Sequence, residues 1–235
     1  MNVSIKVFAD GANLKGMLEM YESGDVQGFT TNPSLMKAGG VTDYGAFAKE
    51  VLSKITDLPV SFEVFADDLA GMEAEAREIA TWADNVYVKI PAMTTAGEST
   101  SDLVHRLSAD GIKINVTTLF TPEQNHEFID AVDAQTPSII SVFAGRIADT
   151  GVDPLPIMQD AIAYAAPKPN CEILWASTRE LLNIYQAEGI GCQIITVPNA
   201  ILAKRANVGK DLFEYSKDTV KGFAKDIQAL GFSIL

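Results

Sequence analysis

Histidine and cysteine are scarce in this chain, with two of each among 235 residues. His105 and His126 both fall in polar stretches that read as helix surfaces. That argues against a histidine-ligated metal and against a histidine base. Cys171 and Cys192 show no metal-like spacing to a histidine and border apolar runs. Buried, reduced thiols and a reducing cytoplasm are therefore expected. Positive charge is also short. Eighteen Lys and Arg stand against 31 Asp and Glu, a net charge of −13 with a pI near 4.5. That argues against nucleic acid or an anionic membrane as partner, since binding a phosphate backbone needs a basic face. A small anion in a local basic pocket stays open. No apolar run approaches the roughly 18 residues of a membrane span. The opening Met1-Asn-Val-Ser-Ile-Lys-Val-Phe8 enters a strand pattern and lacks the layout of a signal peptide.

What is present is an alternation. Eight short apolar runs recur at 4–9, 28–32, 60–65, 86–90, 112–117, 138–143, 171–176 and 193–197. Helical patterns lie between them, among others at 43–55, 67–82, 99–109, 121–132, 154–165 and 178–188. Asp43, Asp67, Thr121 before Pro122, and Thr178 are placed as N-caps, with Gly111 and Gly189 at helix ends. Alternating strands and helices imply a parallel sheet. Eight units in this length fit a (β/α)8 TIM barrel. A doubly wound sheet is the runner-up, but no G-x-G-x-x-G or Walker sequence accompanies it. No repeat or Pro/Gly linker divides the chain, so one domain over 1–235 is expected, closed by an amphipathic helix at about 210–230.

Two charged residues break the strand pattern. In Asn85-Val-Tyr-Val-Lys-Ile-Pro-Ala92, Lys89 sits inside a two-residue apolar alternation. An ammonium withdrawn from water must be paired, led back to solvent, or neutral. A neutral lysine amine forms Schiff bases with carbonyl compounds. The bland reading is a stem that packs while its head reaches water. Glu63 interrupts Val60-Ser-Phe-Glu-Val-Phe65 in the same way. Other polar residues gather at strand ends: Asp10, Asn32, Asn115 with Thr117, Ser141 with Phe143 and Arg146, and Ser177 with Arg179. In a parallel barrel these converge on the C-terminal mouth, where active sites are built. Capping explains several of them singly, but it does not explain Glu63 or Lys89. A buried acid and a buried lysine on facing strands point to catalysis.

The chain resembles the short members of the transaldolase and fructose-6-phosphate aldolase group. The likeness rests on Phe8-Ala-Asp10, Thr30-Thr-Asn-Pro-Ser34, Phe62-Glu-Val64, Val88-Lys-Ile-Pro91, Ile114-Asn-Val-Thr-Thr-Leu-Phe120, Ser141-Val-Phe-Ala-Gly-Arg146 and Ala176-Ser-Thr-Arg179. It implies a class I aldolase barrel with a C-terminal helix and sugar-phosphate substrates, needing no metal or organic cofactor. Lys89 would be the Schiff-base lysine, Asp10 the general base, and Glu63 a proton shuttle through a water held by Thr117. Asn32, Asn115 and Ser141 would bind the three-carbon unit's hydroxyls, and Arg146, Ser177 and Arg179 its phosphate. Glu63 and Phe143 resemble the transferase pair, where the aldolase branch carries Gln and Tyr. Three departures lie near the mouth: Gly11-Ala12-Asn13 after Asp10, Trp175 before Ala176-Ser177, and a loop Ala92-Met-Thr-Thr-Ala-Gly97 without an acid. These leave a sulfosugar donor open. Two further functions also stay open, a fructose-6-phosphate aldolase that ends in hydrolysis and a catalytically idle sugar-phosphate binder. The apolar ending Leu230-Gly-Phe-Ser-Ile-Leu235 suggests a homo-oligomer.

Overall fold

The structure, a computed structural model, describes residues 3–234. The strands are β1 (Lys6–Asp10), β2 (Gly28–Thr30), β3 (Val60–Glu63), β4 (Val86–Pro91), β5 (Ile114–Leu119), β6 (Ser138–Val142), β7 (Cys171–Trp175) and β8 (Ile194–Pro198). Each lies within two residues of an apolar run seen in the sequence. They pair in parallel and in chain order, and β8 pairs with β1, so the sheet closes. The protein is a (β/α)8 TIM barrel, and a doubly wound sheet is excluded by that closure.

The helices are α1 (Leu14–Ser23), α2 (Pro33–Ala38), α3 (Tyr44–Lys54), α4 (Leu69–Ala80), α5 (Ser101–Ala109) and α6 (Pro122–Ala131). They continue with α7 (Ala144–Asp149), α8 (Leu155–Ala165), α9 (Leu182–Gly189), α10 (Asn199–Leu202) and α11 (Leu212–Leu230). Their starts follow side-chain chemistry. Asp43 accepts from the Ala46 N–H to open α3, and Thr121 with Gln124 forms a reciprocal cap on α6. Two expected caps are corrected. Asp68, not Asp67, caps α4; Asp67 instead takes the Thr95 N–H at 2.7 Å and ties the loops after β3 and β4 together. Thr178 does not cap a helix, because α9 begins only at Leu182; its hydroxyl donates to the Thr196 carbonyl. Past α5 the left-handed residue is Gly111, as read from sequence. Past α9 it is Gly191, and Gly189 is still helical.

Strand parity sets the two faces of the barrel wall. Val88, Ile90, Ile114, Val116 and Ile140 point outward into the layer shared with the helices, where Met72, Ala76 and Ile79 form the apolar stripe of α4. Burying side chains of this size contributes about 1.5–3 kcal/mol each. Phe8, Ile139, Leu174 and Ile194 fill the interior as a separate cluster. Gly28 is required there, because a Cβ would lie 2.6 Å from the Phe8 ring. That apolar plug closes the barrel below the polar mouth. Both cysteines are buried and free.

The chain divides into two compact units, the barrel to Leu202 and a second unit from Ala203. The second holds a 3-10 turn (Ala203–Asn207) and α11, which Asp211 caps and Gly231 ends in the left-handed conformation. Phe213, Val220, Phe223, Ile227 and Leu230 form one stripe on α11 at helical spacing, each more than half exposed. Among the described residues, no helix is long and apolar enough to cross a membrane.

Candidate active site

Lys89 stands on β4 level with Glu63 of β3 on one side and Asn115 of β5 on the other. Its side chain is only 7% exposed. The ammonium donates to the Thr31 carbonyl at 3.0 Å and lies 3.4 Å from Glu63 Oε2. Pairing is thus how the chain accommodates this lysine, and the paired acid is the other charge that broke the strand pattern. The site is a cavity of about 380 Å³ at the C-terminal mouth, within the range of small-ligand pockets.

Asp10, at the end of β1, lines the same cavity. Its carboxylate accepts a hydrogen bond from the Thr30 hydroxyl at 2.8 Å. Thr30 is 2.5 Å from the Thr196 hydroxyl. Because Thr30 directs its proton to Asp10, Thr196 is the donor of that second bond. Burial raises the Asp10 carboxyl above its ordinary value, and the Lys89 charge and the Thr30 bond only partly oppose it. An acid so placed holds and returns protons nearer neutral pH than a free carboxylate.

The far wall carries the positive charge. Arg146 lies over the Phe143 ring at 5.4 Å, and Phe143 packs against Phe120 at 5.7 Å between ring centres. Arg179 comes from the loop after β7, beside Ser177. The two loops meet very closely: the Gly145 N–H donates to the Ala176 carbonyl at 3.3 Å, and a Cβ on Gly145 would lie 1.6 Å from the Ser177 carbonyl oxygen. Among the described residues, only Thr118 and Ser177 are non-glycines with positive φ, at 63° and 64°, and both line the cavity. Such conformations cost about 1–3 kcal/mol and cluster at functional sites.

A family model described as Transaldolase/Fructose-6-phosphate aldolase matches residues 7–234. The chain belongs to this family. A "Probable transaldolase" of Methanococcus maripaludis is 39% identical over 204 residues, covering 86% of this chain and 90% of the relative. One from Streptococcus equi subsp. zooepidemicus is 38% identical over 201 residues, covering 85% and 89%. One from Dehalococcoides mccartyi is 33% identical over 199 residues, covering 84% and 88%.

In this member of the transaldolase/fructose-6-phosphate aldolase family, ten of the eleven residues singled out from sequence line one cavity: Asp10, Asn32, Glu63, Lys89, Thr117, Ser141, Phe143, Arg146, Ser177 and Arg179. Asn32 also has a local duty, since its side-chain Oδ1 caps α2 by accepting from the Leu35 N–H. Its amide nitrogen is the group left for a ligand. Asn115 does not line the cavity. It is fully buried, donating to Ser61 Oγ at 2.9 Å and accepting from the Ser141 hydroxyl at 2.6 Å. Asn115 therefore orients Ser141 from beneath. The Thr117 hydroxyl is buried without a hydrogen-bond partner among the described residues, an unusual state for a polar atom.

Thr196 and Ser61 are missed by the sequence reading, although the signal is present. Thr196 is a lone polar residue in the apolar run Ile194-Ile-Thr-Val197, as Lys89 is in its own strand. His105 and His126 stand on α5 and α6, outside the cavity lining. Among the described residues, no group of three or more His, Cys, Asp or Glu side chains is arranged to hold a metal ion.

Proposed function

We propose that the protein is a transaldolase that moves a dihydroxyacetone unit from a ketose phosphate, such as fructose 6-phosphate or sedoheptulose 7-phosphate, to an aldose phosphate. The observation that carries this reading is the buried Lys89 amine facing Glu63 in a cavity that also holds Asp10. In this reading the Lys89 ammonium first passes a proton to Glu63, 3.4 Å away, and the neutral amine adds to the C2 carbonyl of the ketose to give a carbinolamine. Loss of water, with Glu63 moving the proton, yields the protonated imine. The orphaned Thr117 hydroxyl lies in the same lining, suited to hold the water through which Glu63 works.

Asp10 then takes the C4 hydroxyl proton. The C3–C4 bond breaks, its electron pair passes to the imine nitrogen, and an aldehyde leaves. The enamine on Lys89 next attacks the carbonyl carbon of an acceptor aldehyde, and Asp10 returns the proton to the new alkoxide. Water releases the product ketose and restores the amine. Burial of Asp10 suits both halves, because a raised carboxyl is a stronger base when ionised and a usable acid when protonated. Arg146 and Arg179 hold the phosphate, with guanidinium forks that match its oxygens.

Transfer is favoured over hydrolysis by Phe143. A phenyl ring has no hydroxyl with which to place a water on the enamine, and here it is occupied in supporting Arg146. The exposed stripe of α11 favours a homo-oligomer in which a second copy covers it. The buried, free cysteines fit a reducing cytoplasm. The test is a rate measurement with fructose 6-phosphate, with and without erythrose 4-phosphate, for the wild type and Lys89→Ala. The transferase reading expects product ketose only with acceptor, and no turnover in the variant. Free dihydroxyacetone forming equally fast without acceptor would make the protein an aldolase. Turnover surviving in Lys89→Ala would remove the lysine from the chemistry.

A further inference from the structure

Arg146 and Arg179 do not meet a ligand as two independent cations. Asp149, the last residue of α7, follows Arg146 by three positions and so shares its helix face. Its carboxylate grips Arg179 along one edge, taking Nε at 3.1 Å and Nη2 at 2.5 Å. A guanidinium held along that edge presents only the opposite edge, Nη1 and the second Nη2 hydrogen, to anything else. A carboxylate from the loop after β6 thereby fixes a cation from the loop after β7. Both arginines pull the Asp149 carboxyl below the ordinary carboxylate range.

The pair is about half exposed, at 48% for Arg179 and 53% for Asp149. Ion pairs at such exposure stabilise a fold little, so stability is a poor account of the bidentate geometry. Orientation is a better one. Arg179 lines the cavity while Asp149 does not, which places the carboxylate behind the guanidinium as seen from a ligand. The three groups together leave one net positive charge on the wall.

We propose that Asp149 is a positioning residue of the anion site, holding Arg179 with its free edge toward the cavity and so setting affinity for the charged end of the substrate. It acts on binding, not on the chemistry at Lys89. This rests on the reading that a sugar phosphate is held by Arg146 and Arg179.

The test compares wild type, Asp149→Asn and Asp149→Glu in two measurements. In steady-state kinetics with fructose 6-phosphate, Asp149→Asn is expected to raise KM about tenfold, the scale of one lost charge-assisted bond. Its kcat at saturation should change less than about threefold, and Asp149→Glu should recover most of the loss. An unchanged or lowered KM would overturn the proposal, the lowered value marking Asp149 as a mere opposing charge. An equal loss in kcat, not recovered by Asp149→Glu, would overturn it in favour of a structural role. The second measurement is phosphorus NMR line broadening of inorganic phosphate, which needs no turnover. Weaker binding in Asp149→Asn supports the proposal and equal or tighter binding overturns it. If the wild type binds phosphate but turns over no ketose phosphate, the transaldolase reading fails while the role of Asp149 is still decided.

Discussion

Gly145→Ala is a one-carbon change with a consequence that follows from geometry. Gly145 is the second residue of α7, and the new Cβ would lie 1.6 Å from the Ser177 carbonyl oxygen. Real Cβ atoms stay beyond about 3.0 Å, so the loops after β6 and β7 must separate by at least about 1.4 Å. The contact is backbone against backbone, so no flexible side chain is available to yield. Gly145 itself is not among the positive-φ residues, so the change tests space alone. The loops carry Arg146 on one side and Ser177 with Arg179 on the other. A displacement near 1 Å in a positioned site costs on the order of 100-fold. KM for fructose 6-phosphate should therefore rise about 10- to 100-fold. Overpacking of a tight contact costs about 1–3 kcal/mol. At about 2–4 °C per kcal/mol for a chain of this size, Tm should fall by about 2–12 °C. Initial-rate kinetics and a thermal melt read both quantities. A variant with wild-type KM and wild-type Tm would show that this close approach does not set the proposed anion site.

Asp10→Asn should separate stability from activity. The folded state holds the Asp10 proton more tightly than the unfolded chain. Its contribution is therefore present below the ordinary carboxylate pKa and lost as pH rises through the raised folded value. Removing the buried charge should make the variant more stable to urea at pH 7, with the gain fading toward about pH 3–4. Its turnover should fall by about 100-fold or more, the scale of a lost general base. A variant less stable at pH 7 would contradict the assignment. Phe143→Tyr should raise acceptor-independent release of dihydroxyacetone at least severalfold relative to transfer. An unchanged ratio, measured by coupled reduction of free dihydroxyacetone, would remove Phe143 as the determinant. Burial pushes both the Cys171 and Cys192 thiols up to about 12. Native protein should accordingly show no iodoacetamide labelling at pH 8 on the timescale that labels the unfolded chain, and mass spectrometry of the alkylated protein reads this directly.

The barrel was legible because strand parity is a local property. Val86, Val88 and Ile90 alternate with Tyr87 and Lys89 whatever the neighbours do, and eight such runs leave few architectures. The same logic placed Lys89 and Glu63 inward, and the register that sets them level completed the pair. Caps were legible only where one candidate stood alone. Asp43 and Thr121 were clear, whereas between Asp67 and Asp68 the choice turned on a bond to Thr95 from another loop. Thr178 resembled a cap because a hydroxyl before a helix usually is one, but β8 takes its proton. Asn115 shows the limit of parity. Being inward-facing does not say how deep: Thr117 lines the cavity, whereas Asn115, two residues earlier, is fully buried and bonded to Ser61 and Ser141. Asp149 gave no sequence signal, because its partner lies 30 residues away and meets it only through the meeting of two loops.

The Lys89 amine, as the carrier of the three-carbon unit, is the centre of the proposed chemistry. Borohydride reduction in the presence of fructose 6-phosphate, followed by peptide mass spectrometry, tests it most directly. One reduced three-carbon adduct per chain is expected, on Lys89 alone, and none in Lys89→Ala. Adducts spread over surface lysines, or no adduct in a protein that still turns over the sugar, would contradict it.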